Sequence, residues 1–341
     1  MDRGETKQSA MNEDIRMKYV SWMGLLMIGA CSNAPSHSGV TPDSGLDSVA
    51  ADLACAHDAE TYCERLNTCA PFLLQAQYRD VETCKARDRL WCDPIFRVKD
   101  SALQPGDVDA CATAVGAESC DEFLNPTSAL EACRTRPGLR VNGAPCKSGL
   151  QCQSLHCSIP QGTSCGVCAT RVAVGESCTV SSDCDNGRCR ENLCVPIVGE
   201  GGTCDSRTAC HTGLTCVTPD GTTASRGVCT KPIAEGGTCN PLSDACDFSF
   251  GLGCDTQSQT CKVIWRIVIA GQVCSTVDGL LAFCAGYGLC VPPADEAGIC
   301  QATPADGATC NPDDDRCMWP ASCVNGVCQP YDPSDATGCP G

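Results

Sequence analysis

The chain has little with which to build a large apolar core. Aromatic residues are 4% of its 341 positions, and there are only four His. Basic charge is also short: 24 Lys and Arg against 41 Asp and Glu leave a net charge of −17. Such a surface repels phosphate backbones and anionic headgroups, which argues against a nucleic-acid partner. No GxSxG, HExxH or Gly-rich phosphate loop occurs, so the common signatures of hydrolase, metalloprotease and nucleotide chemistry are missing. The longest apolar run, "YVSWMGLLMIGA" over 19–30, is too short for a permanent membrane helix.

Cysteine is what the chain does have. Thirty-five Cys, with 33 Gly and 21 Pro, describe turn-rich units that fold because bridges replace the missing core. The expected fold class is small and disulfide-rich, with a four-helix disulfide-stapled head followed by an elongated array of six small β/loop repeats.

The apolar run follows Arg16 and Lys18 and ends in Ile28-Gly29-Ala30-Cys31. Basic residues, a short apolar stretch, small residues and a Cys resemble the lipobox of bacterial lipoprotein signal peptides. That resemblance implies that residues 1–30 are a signal peptide, that cleavage falls before Cys31, and that Cys31 carries lipid. Asp2, Glu5, Glu13 and Asp14 do not suit the start of such a peptide, so Met17 is the expected start. Removing Cys31 leaves 34 Cys, an even number that can pair completely. Residues 31–49, rich in Ser, Pro, Gly and Asp, are the expected tether. The family's sorting habit, with Ser32 after the Cys, favours the outer membrane.

Residues 50–136 are expected to form the helical head, with eight cysteines: Cys55, Cys63, Cys69, Cys84, Cys92, Cys111, Cys120 and Cys133. Cys55 and Cys63 are eight apart, as are Cys84 and Cys92, so each pair shares a helix face. Two turns hold the members of a pair about 12 Å apart, and they must therefore bond across helices. Asp80 and Asp107 are expected caps, and Leu53, Tyr62, Leu66, Leu90, Trp91, Val108 and Leu130 the expected core.

From 137 to 341 the chain repeats. A Gly followed three residues later by a Cys opens units at 143–168, 175–194, 201–229, 236–261, 271–300 and 307–328, ahead of a short tail. Unit one holds Cys146, Cys152, Cys157, Cys165 and Cys168. Units two to four hold Cys178, Cys184, Cys189 and Cys194, then Cys204, Cys210, Cys216 and Cys229, then Cys239, Cys246, Cys254 and Cys261. Units five and six hold Cys274, Cys284, Cys290 and Cys300, then Cys310, Cys317, Cys323 and Cys328; Cys339 lies in the tail. All 34 are assigned to structural disulfides. Bonding within a unit is expected, because bridges between nearby Cys close small loops cheaply; four Cys allow three connectivities, of which first-to-third with second-to-fourth is the expectation. Cys165 and Cys339 are left over. If they pair with each other the array must curl back on itself; an extended rod, the expectation, needs each to find a local partner.

The spacing of Cys and Gly in these units resembles the N-terminal domain of Dickkopf proteins and related EGF-like or colipase-like scaffolds. The whole chain resembles a group of Cys-rich bacterial lipoproteins with a helical head and repeated knots. The resemblance implies a lipid-anchored protein of the outer membrane or cell surface in a Gram-negative envelope. It would be non-enzymatic, with no cofactor, and a binding, adhesion or structural module whose partner is an unidentified protein or glycan. A secreted hydrolase or redox protein with an unrecognised site, or a protease inhibitor, is the alternative.

Three stretches invite sharper readings. "CGVC" (Cys165 to Cys168) has redox-site spacing but sits in a Gly-rich loop, which favours structural bonding. "SDCDNG" (Asp183, Asp185, Asn186) and "DDD" (Asp313, Asp314, Asp315) miss the register of a calcium loop. "KVIWRIVIAG" (262–271) is expected to pack between units four and five; an exposed edge for a partner is the other possibility.

Overall fold

The computed structural model describes residues 46–126, 130–160, 165–211, 213–219, 225–243, 245–274, 280–291, 298–311, 316–330 and 332–333. The chain is a Cys-rich repeat protein: five α-helices come first, then small strands and loops, with sixteen disulfides among the described residues. Cys31 and Cys339 lie outside them.

The helices are α1 (Leu46–Cys69), α2 (Pro71–Tyr78), α3 (Val81–Ile95), α4 (Pro105–Ala117) and α5 (Cys120–Leu124). Asp80 caps α3 as expected, accepting from the Thr83 N–H at 2.7 Å. Asp107 does not cap α4 directly. Gln104 holds that position and Asp107, three residues on, accepts the Gln104 N–H at 3.0 Å. The head's closing stretch is only a short 3₁₀ turn, Glu131–Cys133, and its α-helices among the described residues number five rather than the expected four.

The i,i+8 pairs bond across helices. Cys55 joins Cys92 and Cys63 joins Cys84, so eight residues forward on α1 match eight backward on α3. Two rungs in one register fix α1 and α3 antiparallel. Cys69–Cys120 and Cys111–Cys133 tie in the rest of the head. Tyr62 and Leu66 are in the core, with Trp91, Val108 and Leu130 packed against it. Leu53 and Leu90 are not; they are 66% and 38% exposed. Each precedes a bridging Cys by two residues, about 200° around the helix, which turns it away from the bridged face.

All six units are wired alike. First pairs with third and second with fourth, from Cys146–Cys157 and Cys152–Cys168 in unit one to Cys310–Cys323 and Cys317–Cys328 in unit six. Bridges between residues this close contribute about 3 kcal/mol each in the chain-entropy account. The third and fourth Cys face each other across an antiparallel hairpin, as in Cys157↔Cys168, Cys254↔Cys261 and Cys323↔Cys328, yet each bonds elsewhere. The unit's opening Gly is the other fixed point. Gly143, Gly175, Gly201, Gly236, Gly271 and Gly307 all have left-handed φ between 77° and 94°. Each donates its N–H to the carbonyl of its unit's fourth Cys at 2.7–2.8 Å. A side chain would strain that backbone although nothing crowds it.

Successive units join through a parallel bridge. A linker residue pairs with the second Cys ahead: Val172↔Cys184, Val198↔Cys210, Ile233↔Cys246 and Val268↔Cys284. At unit six the matching residue is Pro304, which has no N–H to offer.

The array does not lead away from the head as a rod would. Five of the six units touch it. Unit one binds through Arg140 to Asp100 (2.9 Å) and through Leu150 to Ile95 and Val98. Lys231, past unit three, meets Asp121 of α5 at 2.6 Å. Gly213 lies so near Asn125 that an added Cβ would fall 1.3 Å from its Oδ1, so only Gly fits. Units four and five wedge Phe248 and Phe283 against Phe72 of α2, at 4.9 and 5.9 Å between ring centres. The N–H groups of Gly286 and Tyr287 donate to the Gln75 and Ala76 carbonyls, completing the last turn of α2.

Unit six closes on α3. Arg87, 9% exposed, binds Asp306 at 2.5 Å and the Trp319 carbonyl at 2.8 Å, and also reaches the Met318 carbonyl. Trp91, packed with Leu150's cluster, lies 6.1 Å from Trp319, so the first and last units approach the same stretch of α3. Cys165 is disulfide-bonded too. Its four neighbours in unit one are paired with one another, so the expected shift to a local partner has not occurred, and its partner lies outside the described residues.

Arg87→Ala should weaken the docking of unit six by about 1.5–3 kcal/mol, since Asp306 and two carbonyls lose a charged donor. Hydrogen exchange in the hairpin 321–330 should speed up roughly ten- to a hundredfold, with the hairpins of units two and three unchanged.

Candidate functional site

The two bonds between α1 and α3 decide what meets in the head. Midway between Cys84 and Cys92 comes Asp88, and the shared register sets it across from Ala59, next to Asp58. Ala59 is fully buried, and Asp58 beside it lies close enough for its charge to act on Asp88.

Asp88 is 1% exposed, and neither of its oxygens has a hydrogen-bond partner. A buried carboxylate without a donor is costly, and the group answers by keeping its proton. Burial pushes the Asp88 carboxyl well above the ordinary range, and the nearby Asp58 pushes it further. Burial also raises Asp58, to about 6, against a smaller opposing pull from His57. The Tyr78 phenol is pushed up by burial, with Tyr62, Tyr287 and Asp88 adding to it.

Asp58 opens onto a cleft of about 60 Å³ where the head meets unit one, lined by Trp91, Ile95, Leu103, Val108 and Leu150. The charged groups in its wall are occupied elsewhere. Asp107 accepts from Arg136 at 2.8 Å, and Arg134 reaches Glu131 at 3.0 Å. The cleft is a small, largely apolar space with two acids in its wall, Asp58 and the salt-bridged Asp107. Such a site can take up or release a proton close to neutral pH.

The residues singled out by sequence do not gather there. In "CGVC", Cys168 bonds Cys152 and Cys165 is bonded elsewhere, so the two do not form a CxxC disulfide. The sulfurs of each unit lie close together, but bonded sulfur supplies no thiolate for a metal or a nucleophile. Asp183 spends its carboxylate on the Thr179 and Val180 N–H groups, at 2.8 and 3.0 Å, while Asp185 accepts from Asn186 at 3.3 Å. Asp313, Asp314 and Asp315 lie outside the described residues.

His57 pairs with Asp109 at 2.7 Å on the surface of the head. Buried His156 faces Asp183 of unit two at 3.5 Å, and burial lowers its pKa. The stretch 262–271 packs as expected and reaches further. Trp265 and Phe248 lie 6.0 Å apart, Val268 is fully buried, and 265–268 pairs in parallel with 281–284.

Asp58 and Asp88 were not legible as a pair from the sequence. One signal was available: each lies within one turn of a Cys on the bridged face of its helix, where an acid has no ordinary reason to be. The known proteins add no guide, since no protein-family model, no curated protein and no solved structure matches this chain.

Intact, denatured, non-reduced protein treated with a thiol-alkylating reagent should show no label on Cys165 or Cys168. Label on either would contradict the bonding described here and revive a redox role for the stretch.

Proposed function

We propose that this is an exported, lipid-anchored protein of a bacterial envelope whose disulfide-built body is a non-enzymatic binding or structural module. The observation that carries this reading is the closure of thirty-two described cysteines into sixteen bonds. Bonds in this number form and persist only in an oxidising compartment, and the chain begins with the features of a lipoprotein leader. "MIGAC" after a basic residue and an apolar run supports Cys31 as the lipid attachment, with the stretch from there to the start of α1 as the tether. Membrane contact comes through that lipid, with the outer membrane or cell surface as the location.

The units would serve as a scaffold, their Cys and Gly spacing resembling that of Dickkopf N-terminal and EGF-like modules. Here the residue ahead of the fourth Cys is apolar and exposed in four units: Val167, Leu193, Val228 and Ile299. Each sits on a hairpin held by a bridge, so it meets a protein or glycan partner with little ordering cost.

Replacing Cys31 with Ser should move the protein from the membrane pellet to the soluble fraction, with the sixteen bridges intact. A Cys31→Ser chain that stays in the pellet would overturn the lipid anchor.

A further inference from the structure

The head carries a feature that neither anchoring nor scaffolding requires. Asp58 and Asp88 are brought near one another by the Cys55–Cys92 and Cys63–Cys84 rungs, where neither oxygen of the buried Asp88 finds a hydrogen-bond donor. The groups that face them from each packed element are accounted for. On α1, His57 is tied to Asp109 of α4, and Tyr62 is neutral. On α2, Tyr78 is neutral and fully buried in its surroundings. On α3, Arg87 points to Asp306 and the carbonyls of unit six. From α4, Asp107 is held by Arg136, and beside the cleft Arg134 is held by Glu131. Unit five contributes Tyr287, also neutral.

Two carboxyl groups in such a place cannot both ionise cheaply; a like charge nearby and a low dielectric each oppose the second ionisation. We propose that the Asp58–Asp88 pair is a proton switch that sets how tightly the first and last units close on the head. The path from pair to units is short. Arg87, which holds unit six, is the neighbour of Asp88 in sequence. Trp91, less than one turn further along α3, lies between Leu150 of unit one and Trp319 of unit six. Charge appearing between α1 and α3 pushes on the helix that carries both contacts.

The direction follows from linkage. An acid whose pKa is higher folded than unfolded stabilises the fold fully below its unfolded value, and that contribution is lost as pH rises through the folded value. For Asp58 the loss runs from about pH 4 to about pH 6; burial shifts Asp88 in the same direction. Lifting unit one off the cleft that Asp58 and Leu150 share would wet the Asp58 carboxyl and return it towards its ordinary value, so the docked state is tightest in mild acid and loosens towards neutral pH.

The experiment uses the full chain and two readouts. Carboxyl carbon NMR should show Asp58 titrating near pH 6 and Asp88 titrating well above the ordinary carboxylate range. Hydrogen exchange, corrected for intrinsic rates, should show opening of α1, α3 and the hairpin 321–330 rising about a hundredfold from pH 4 to pH 7. That is the ratio imposed by moving a carboxyl from its ordinary value to about 6. Asp58→Asn should flatten this rise. The proposal is overturned if both carboxyls titrate below pH 5 in the unmodified chain, a readout that needs no variant to fold. It is equally overturned if Asp58→Asn folds and keeps the full pH dependence of exchange.

Discussion

Two crossed disulfides and one glycine hydrogen bond recur in every unit, and the rest of the molecule depends on them. The crossing pins the hairpin to the loop before it, while the Gly N–H on the fourth Cys carbonyl fixes where the unit begins. With those three constraints met, a unit needs few apolar residues. Its core is little more than its own sulfurs and an occasional aliphatic residue, as in the Cys204, Cys210 and Cys229 cluster packed with Val198 and Leu214. Sequence between the fixed points is then free to vary, which is why the units differ in length but not in wiring.

Scarce aromatics are spent at the seams instead. Phe72, Phe248, Phe283 and Trp265 meet where α2 receives units four and five. Trp91 and Trp319 meet where α3 receives unit six. Each unit alone buries too little to fix its orientation against its neighbours. The head supplies a common surface, and the array wraps against it because that is where the large apolar side chains are.

The local order was legible in the sequence because it is written in short-range spacing. The Gly and Cys periods gave the units, loop-closure cost kept their bonds internal, and the eight-residue Cys spacing required cross-helix bonds in the head. The global arrangement was not legible. Phe72 and Phe283 are more than two hundred residues apart, and nothing local marks Arg87 as the anchor for Asp306. Leu53 and Leu90 misled as core candidates because composition alone does not say which helix face a bridge selects. Asp58 and Asp88 stayed hidden for a related reason: they become neighbours only once the register between α1 and α3 is known.

The account rests on the units closing around the head rather than trailing from it, and small-angle X-ray scattering in non-reducing buffer tests that most directly. A chain of this length folded as one body has a radius of gyration of about 20 Å, to which a short N-terminal tether adds little. The account predicts a value near that figure, with a single-peaked distance distribution. A value well above it, with the long tail of a rod, would contradict the wrapped arrangement and return the array to an extended form.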